Sequence, residues 1–273
     1  MIQTKRVACF FTGGYSELNA MKSFLKKAND KVHLIQLCPI GDRRSKSQIR
    51  DRHIDNIINC HSGLTGIALT NFVLEFISKK RFLEEEYDAI LIEDDKDDRF
   101  LKPLPNGMAT FDDEKWEEYK LNTITAIREA GVDIPVIFIL AAPEVETWFI
   151  SDWDNGFGQV FKDDFTREQN AYFSVMFRRF INQSILTDQY RDSIEEYGYF
   201  DGVYKKLSEE IQRSLNTIDF LDSYKPDVTH PKPHYSKRTH GEIMLQRLNP
   251  SQVAKHCTLF LKNGLLQLQA LTE

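Results

Sequence analysis

The chain has 273 residues, with 41 Asp and Glu against 35 Lys and Arg, a formal charge of −6 at neutral pH. That balance excludes a globally basic coat for nucleic acid. With 41% hydrophobic and 28% charged residues and no tract rich in Pro, Gly or Ser, the composition excludes a disordered chain. The opening MIQTKRVACFF places two basic residues before an apolar run that breaks at Thr12-Gly13-Gly14. This is too short for a signal-peptide core or a membrane span, so a cytoplasmic location without membrane attachment is expected. The four cysteines, Cys9, Cys38, Cys60 and Cys257, are far apart and lack CxxC spacing, as expected of free, core-filling thiols.

In chain order, Arg6 to Phe11 reads as a first buried strand and Gly13-Gly14 as the turn after it. Ser16 is placed to cap a helix to about Ala28, with Leu18, Met21, Phe24 and Leu25 on one face. Val32 to Leu37 is a second strand, and Leu64 to Phe82 an apolar helix. Tyr87 to Ile92 is a third strand, running directly into the acidic residues Glu93 to Asp98. Pro103, Pro105 and Asn106-Gly107 mark a loop, after which a helix starts at Asp112 or Asp113 and closes at Gly131. Ile134 to Leu140 is the fourth strand. This alternation of strands and helices predicts an α/β fold, a parallel sheet with flanking helices, over residues 1–152.

From about Trp153 the rhythm changes to helices joined by polar turns, so residues 153–273 are expected to form a helical C-terminal lobe. Its helices fall at Thr166 to Gln183, Gly202 to Leu215 and Ser251 to about Leu271, with an extended Pro, Lys and His segment from Ser223 to Thr239. Phe173, Phe177 and Phe180 recur at helical spacing, which favours core packing over base stacking.

Three strand ends deliver carboxylates. In an open parallel sheet, ligands bind at the carboxyl ends of strands. Side-chain alternation would place Glu93, Asp95 and Asp97 on one side of the third strand. Such an oxygen-only set suits Mg²⁺ or Mn²⁺; the same run also reads as a solvated acidic loop. After the first strand, Gly13 and Gly14 let backbone N–H groups approach an anion, or simply serve a tight turn. Glu17, in the following helical turn, either complements the helix dipole or faces the third strand's acids. After the fourth strand, Pro143 starts a helix that carries Glu146 beside Trp148, Phe149 and Ile150; Glu144 and Asp152 read as ordinary exposed acids.

Positive charge is local. Between Lys225 and Arg247, five Lys or Arg face two acids, with His230, His234 and His240 among them. This stretch, and the cluster Arg43-Arg44-Lys46-Arg50-Arg52, read as phosphate-contacting patches or as solvated loops.

Glycine turn, acidic strand end and Glu-aromatic helix follow the order seen in TOPRIM domains, the metal-dependent phosphoryl-transfer module of topoisomerases, primases and OLD-type nucleases. More closely, the chain resembles bacterial TOPRIM-like proteins paired with an ATPase in phage-defence loci, akin to OLD-type and PARIS-type effectors. The resemblance rests on Gly13-Gly14-Tyr15-Ser16-Glu17, Glu93-Asp94-Asp95-Lys96-Asp97, Glu146 through Asp152, and Pro231-Lys232-Pro233 through Thr239-His240-Gly241. Two positions depart from the pattern: Gly13 stands where the family has a glutamate, and Glu93 where Asp is usual.

The resemblance implies a TOPRIM or Rossmann-like sheet and an Mg²⁺- or Mn²⁺-dependent nuclease cleaving phosphodiester bonds in DNA or RNA, tRNA included. Glu17, Glu93, Asp95 and Asp97 are then the metal ligands, and Glu17, Asp95 and Glu146 the catalytic groups. Gly13, Gly14, Lys232, Lys237 and His240 bind the nucleic acid substrate. A partner ATPase, and self-association of the chain, are expected. The alternative is a degenerate TOPRIM-like subunit that docks on the ATPase or senses a phage protein, with vestigial carboxylates.

Overall fold

The computed structural model describes residues 4–12, 15–39, 64–105, 109–162, 193–196, 199–200, 203–204, 207–209, 211–212 and 235–273. Gly13, Gly14, Lys232, Cys60, the basic cluster at 43–52 and the helix expected at 166–183 lie outside them. Four parallel strands form the central sheet in the order β2-β1-β3-β6: β1 is Lys5–Phe11, β2 Val32–Cys38, β3 Ala89–Asp95 and β6 Val136–Ala141. The fold is α/β, as the alternating pattern implies.

Strand alternation divides the core into two layers. On one face, Val7, Cys9 and Phe11 of β1, Leu91 of β3 and Ile139 of β6 meet Met21, Phe24 and Leu25 of α1 (Tyr15–Ala28). On the other, Ala8, Phe10, Ile90, Ile92 and Leu140 meet Leu69 and Val73 of α2 (Gly66–Ile77), after which comes the short α3 (Lys80–Glu84). Both faces are covered, so the central strands run apolar along their length instead of alternating with polar residues. Because β2 lies to one side of β1 and β6 beyond β3 on the other, the chain direction switches between β1 and β3. In sheets of this kind that crevice is where ligands bind.

The region expected as a loop after β3 contains an antiparallel ribbon, β4 (Leu101–Pro103) with β5 (Ala109–Phe111). Helix α4 (Asp113–Glu129) starts where the sequence signals it, with the Asp112 side chain accepting from the Lys115 N–H at 3.2 Å, and is followed by Gly131 at φ 88°. Instead of one helix from Leu64 to Phe82 there are two, because the extended backbone of Lys79 redirects the chain and lets Phe82 stack on Tyr87 at 4.8 Å.

Past β6 come the short helices α5 (Glu146–Ser151) and α6 (Phe157–Val160), then a two-residue ribbon, β7 (Tyr199–Phe200) with β8 (Val203–Tyr204), where only helix was expected. Thr239 is not extended: α7 (Lys237–Arg247) begins two residues before it. The final helix is also broken, into α8 (Pro250–Val253) and α9 (Leu261–Ala270). The Glu195 carboxylate interrupts it by accepting the backbone N–H groups of Leu259, Phe260 and Leu261 at 2.7, 3.1 and 3.0 Å, which caps α9. Met244, Leu245, Leu261, Leu265 and Leu268 join the α1 side of the sheet core, so α7 and α9 share that core with residues 1–152. Among the described residues, no helix is long and apolar enough to cross a membrane.

Gly264 sets how closely α9 lies on β6. A Cβ there would meet the Phe138 carbonyl oxygen at 2.7 Å and the Ile139 side chain closer still. Gly264→Ala is expected to destabilise the protein by about 1–3 kcal/mol through overpacking. The check is the midpoint of urea unfolding, which an uncrowded contact would leave unchanged.

Candidate functional site

At the end of β3 the ladder continues into the acidic run: Glu93 pairs with Phe11 and Asp95 with Ala141. Alternation carries Leu91, Glu93 and Asp95 to the α1 side and Asp94 to the α2 side. Asp94 is bound there, accepting from the Gly66 N–H at 3.0 Å and pairing with Arg99 at 2.6 Å; Arg99 also donates to the Asp95 carbonyl. Thr12 fixes the other flank. Its N–H reaches the Glu93 carbonyl at 2.9 Å and Glu93 Oε2 at 3.1 Å, while its hydroxyl accepts from the Asp95 N–H at 3.1 Å.

The other two strand ends bring their acids to the same place. Glu17 lies in the first turn of α1, and Glu146 opens α5 just past β6; like Glu93, each is 0% exposed. Asp95 and Glu144 are buried too. Glu144 is not the surface acid its sequence context suggests, because the Ser208 N–H and hydroxyl both donate to it at 3.1 Å. Asp152 is likewise buried and structural, accepting the Asn249 N–H at 2.8 Å.

Asp97 departs from the expected alternation. The strand ends at Asp95, the Lys96 and Asp97 N–H groups bond to the carbonyls of Ala141 and Pro143 at 2.7 and 2.9 Å, and Asp97 turns to φ 49°. Among the described residues, no hydrogen bond or ion pair ties its side chain to the other acids.

Helix α7 closes the site. Lys237 Nζ stands 3.7 Å from Asp95 Oδ2 and 3.6 Å from Glu146 Oε2, and the Tyr235 hydroxyl donates to Glu146 Oε1 at 2.6 Å. The helix comes this near because Gly241 faces Ser16 of α1, where a Cβ would collide with the serine hydroxyl. His240 sits beside the cluster, its Nδ1 accepting from the Ser236 N–H at 3.0 Å and its ring 6.1 Å from Tyr235 and 5.2 Å from Phe161. Thr12, Arg99, Tyr235 and Ser208 have no role in the sequence reading. Tyr235 lies within the Lys/Pro stretch singled out there and Thr12 borders the glycine turn; Arg99 and Ser208 carry no sequence signal.

The electrostatics are those of crowded acid. Four carboxylates, Glu146, Asp95, Glu17 and Glu144, act on the Lys237 ammonium, and Glu93 stands with Glu17 and Asp95. Burial raises Glu17 and Glu144 above the usual carboxylate range; it raises Glu93 and Asp95 well above it. Neighbouring acids add to this, and Lys237 opposes it at Asp95. Burial would lower Lys237, yet Glu146, Asp95, Glu17 and Glu144 outweigh it and hold the ammonium well above its ordinary value. Both Glu17 oxygens, Glu93 Oε1, Asp95 Oδ1 and Glu146 Oε2 are buried without a hydrogen-bond partner.

That donor set, oxygen only and multiply anionic, fits Mg²⁺ or Mn²⁺. Among the described residues, no three His, Cys, Asp or Glu side chains already stand in a ligating arrangement. Comparison with protein-family models, curated proteins and solved structures finds no match.

Raised carboxyl groups give the metal-free site a definite pH dependence. Between the ordinary carboxylate value of 4.5 or 3.8 and the raised folded values, the native state holds protons that the unfolded chain has released. Stability is then lost as pH rises, by about 1.4 kcal/mol per pH unit for each proton retained. Urea unfolding in EDTA from about pH 4.5 upward is expected to fall more steeply for wild type than for Glu93→Gln. Parallel curves would mean that Glu93 titrates normally.

Proposed function

We propose that this chain is a TOPRIM-like nuclease, dependent on Mg²⁺ or Mn²⁺, that hydrolyses phosphodiester bonds in DNA or RNA as the effector of an anti-phage defence system. The observation that carries the reading is the convergence of Glu17, Glu93, Asp95 and Glu146 from three strand ends, buried, with five oxygens lacking hydrogen-bond partners. The defence role, a tRNA substrate and control by a partner ATPase are drawn from the resemblance of the sequence motifs.

Glu93 and Asp95, held by Thr12 and Arg99, would be the principal cation ligands, with Glu17 beside them. A bound ion supplies an activated water at neutral pH and stabilises charge developing on phosphate oxygens. Glu17 and Glu146 are the groups placed to hold or move a proton. Tyr235 fixes one oxygen of Glu146 and leaves the other toward Lys237. Lys237, at the mouth of the cluster, is the cation placed to meet a phosphate, with His240 one turn along α7. A net charge of −6 gives little general affinity for nucleic acid, which suits an enzyme brought to its substrate by a partner.

A second reading, a degenerate subunit that binds the ATPase without catalysis, is favoured by Gly13 standing where the family motif has glutamate. Cleavage of DNA and of structured RNA by the purified protein separates the two. Manganese-dependent cleavage is expected, abolished by EDTA and lowered about 100-fold or more in Asp95→Ala. Equal rates for wild type and Asp95→Ala would remove the nuclease reading, and absence of Mn²⁺ binding by titration would leave the degenerate subunit.

A further inference from the structure

Lys237 stands where a helix least favours a cation. It is the first residue of α7, at the positive end of the helix dipole, and no acidic residue of that first turn offsets it. What places the ammonium is the cluster opposite, Asp95 at 3.7 Å and Glu146 at 3.6 Å, both ion-pair distances and both longer than a hydrogen bond. The ammonium therefore lies between two carboxylates without being bonded to either. Glu17, on the same cluster, has two buried oxygens that accept no hydrogen bond among the described residues.

We infer that the Lys237 ammonium is the resident counter-ion of this site and competes with a divalent cation for Asp95 and Glu146, so that the ion loads only as Lys237 turns outward. This deepens the proposed function and rests on the reading of the cluster as a divalent-cation site. Three observations carry it. The ammonium occupies the space between carboxylates from two different strand ends, β3 and the start of α5. Those carboxylates are not gathered into a ligating arrangement. The Lys237 side chain keeps 30% of its surface exposed, which gives it a way out, while its backbone is held by the Gly241–Ser16 contact and by the neighbouring Tyr235–Glu146 bond. A divalent ion and an ammonium at such range repel one another strongly outside bulk water. Removing the ammonium therefore frees ligands and removes repulsion together.

Calorimetric titration with Mn²⁺ tests this on wild type, Lys237→Met and Lys237→Arg. Lys237→Met is expected to bind Mn²⁺ roughly tenfold tighter or more, and Lys237→Arg, which keeps the charge, to stay near wild type. Thermal unfolding supplies a readout that a merely structural lysine would not move. In EDTA, Lys237→Met should melt below wild type, and saturating Mn²⁺ should erase or reverse the deficit. If wild type binds Mn²⁺ and Lys237→Met binds it no more tightly, the competition is refuted while the cation site stands. If neither binds, both fall. Should Lys237→Met fail to fold, Lys237→Gln carries the same comparison.

Discussion

A carboxylate taken out of water costs several kcal/mol unless a cation, a proton or strong donors replace its hydration. This chain buries five in one place. Two of them, Glu93 and Asp95, lie within the last residues of the strand at the centre of the sheet, where the backbone cannot give way without breaking the ladder. The surrounding polar structure answers that cost only in part. Thr12 satisfies one oxygen of Glu93, Ser208 satisfies Glu144, Tyr235 satisfies one oxygen of Glu146, and Lys237 supplies a single positive charge. What remains unanswered is met by protons, which burial holds on Glu93 and Asp95 well above the ordinary carboxylate range.

The fold brings these acids to the carboxyl ends of the strands, where ligands bind in open parallel sheets. The acids are separated in sequence, at 17, at 93 and 95, and at 144 and 146, yet each closes or follows a parallel strand and so arrives at the same sheet edge. The reversal of strand order between β1 and β3 opens the crevice there. Closure from above depends on α7, whose approach to α1 requires a residue without a side chain at Gly241. Lys237 and Tyr235 thus reach acids about 90 residues or more before them in the chain through one close helix contact.

Much of this was legible in the sequence. Four apolar runs alternating with helical patterns foreshadow the parallel sheet, and the carboxylates after three of those runs are the acids that the structure gathers into the candidate site. The misreadings have identifiable causes. Asp97 shares a side with Glu93 and Asp95 only if a two-residue period runs past the point where hydrogen bonds to Ala141 and Pro143 bend the chain away. Glu144 looked exposed because its partner, Ser208, lies 64 residues on, a pairing that no local pattern encodes. The last helix looked continuous because its apolar spacing survives the break that Glu195 imposes from a distant segment. Local periodicity reports which face is buried, but not which remote polar group intervenes.

Diffraction from crystals soaked in manganese, recorded for its anomalous signal, tests the central claim most directly. The account predicts a peak within about 2.5 Å of the oxygens of Asp95 and Glu93, with Lys237 turned toward solvent. A map without a peak at this sheet edge, with Lys237 still between Asp95 and Glu146, would contradict it.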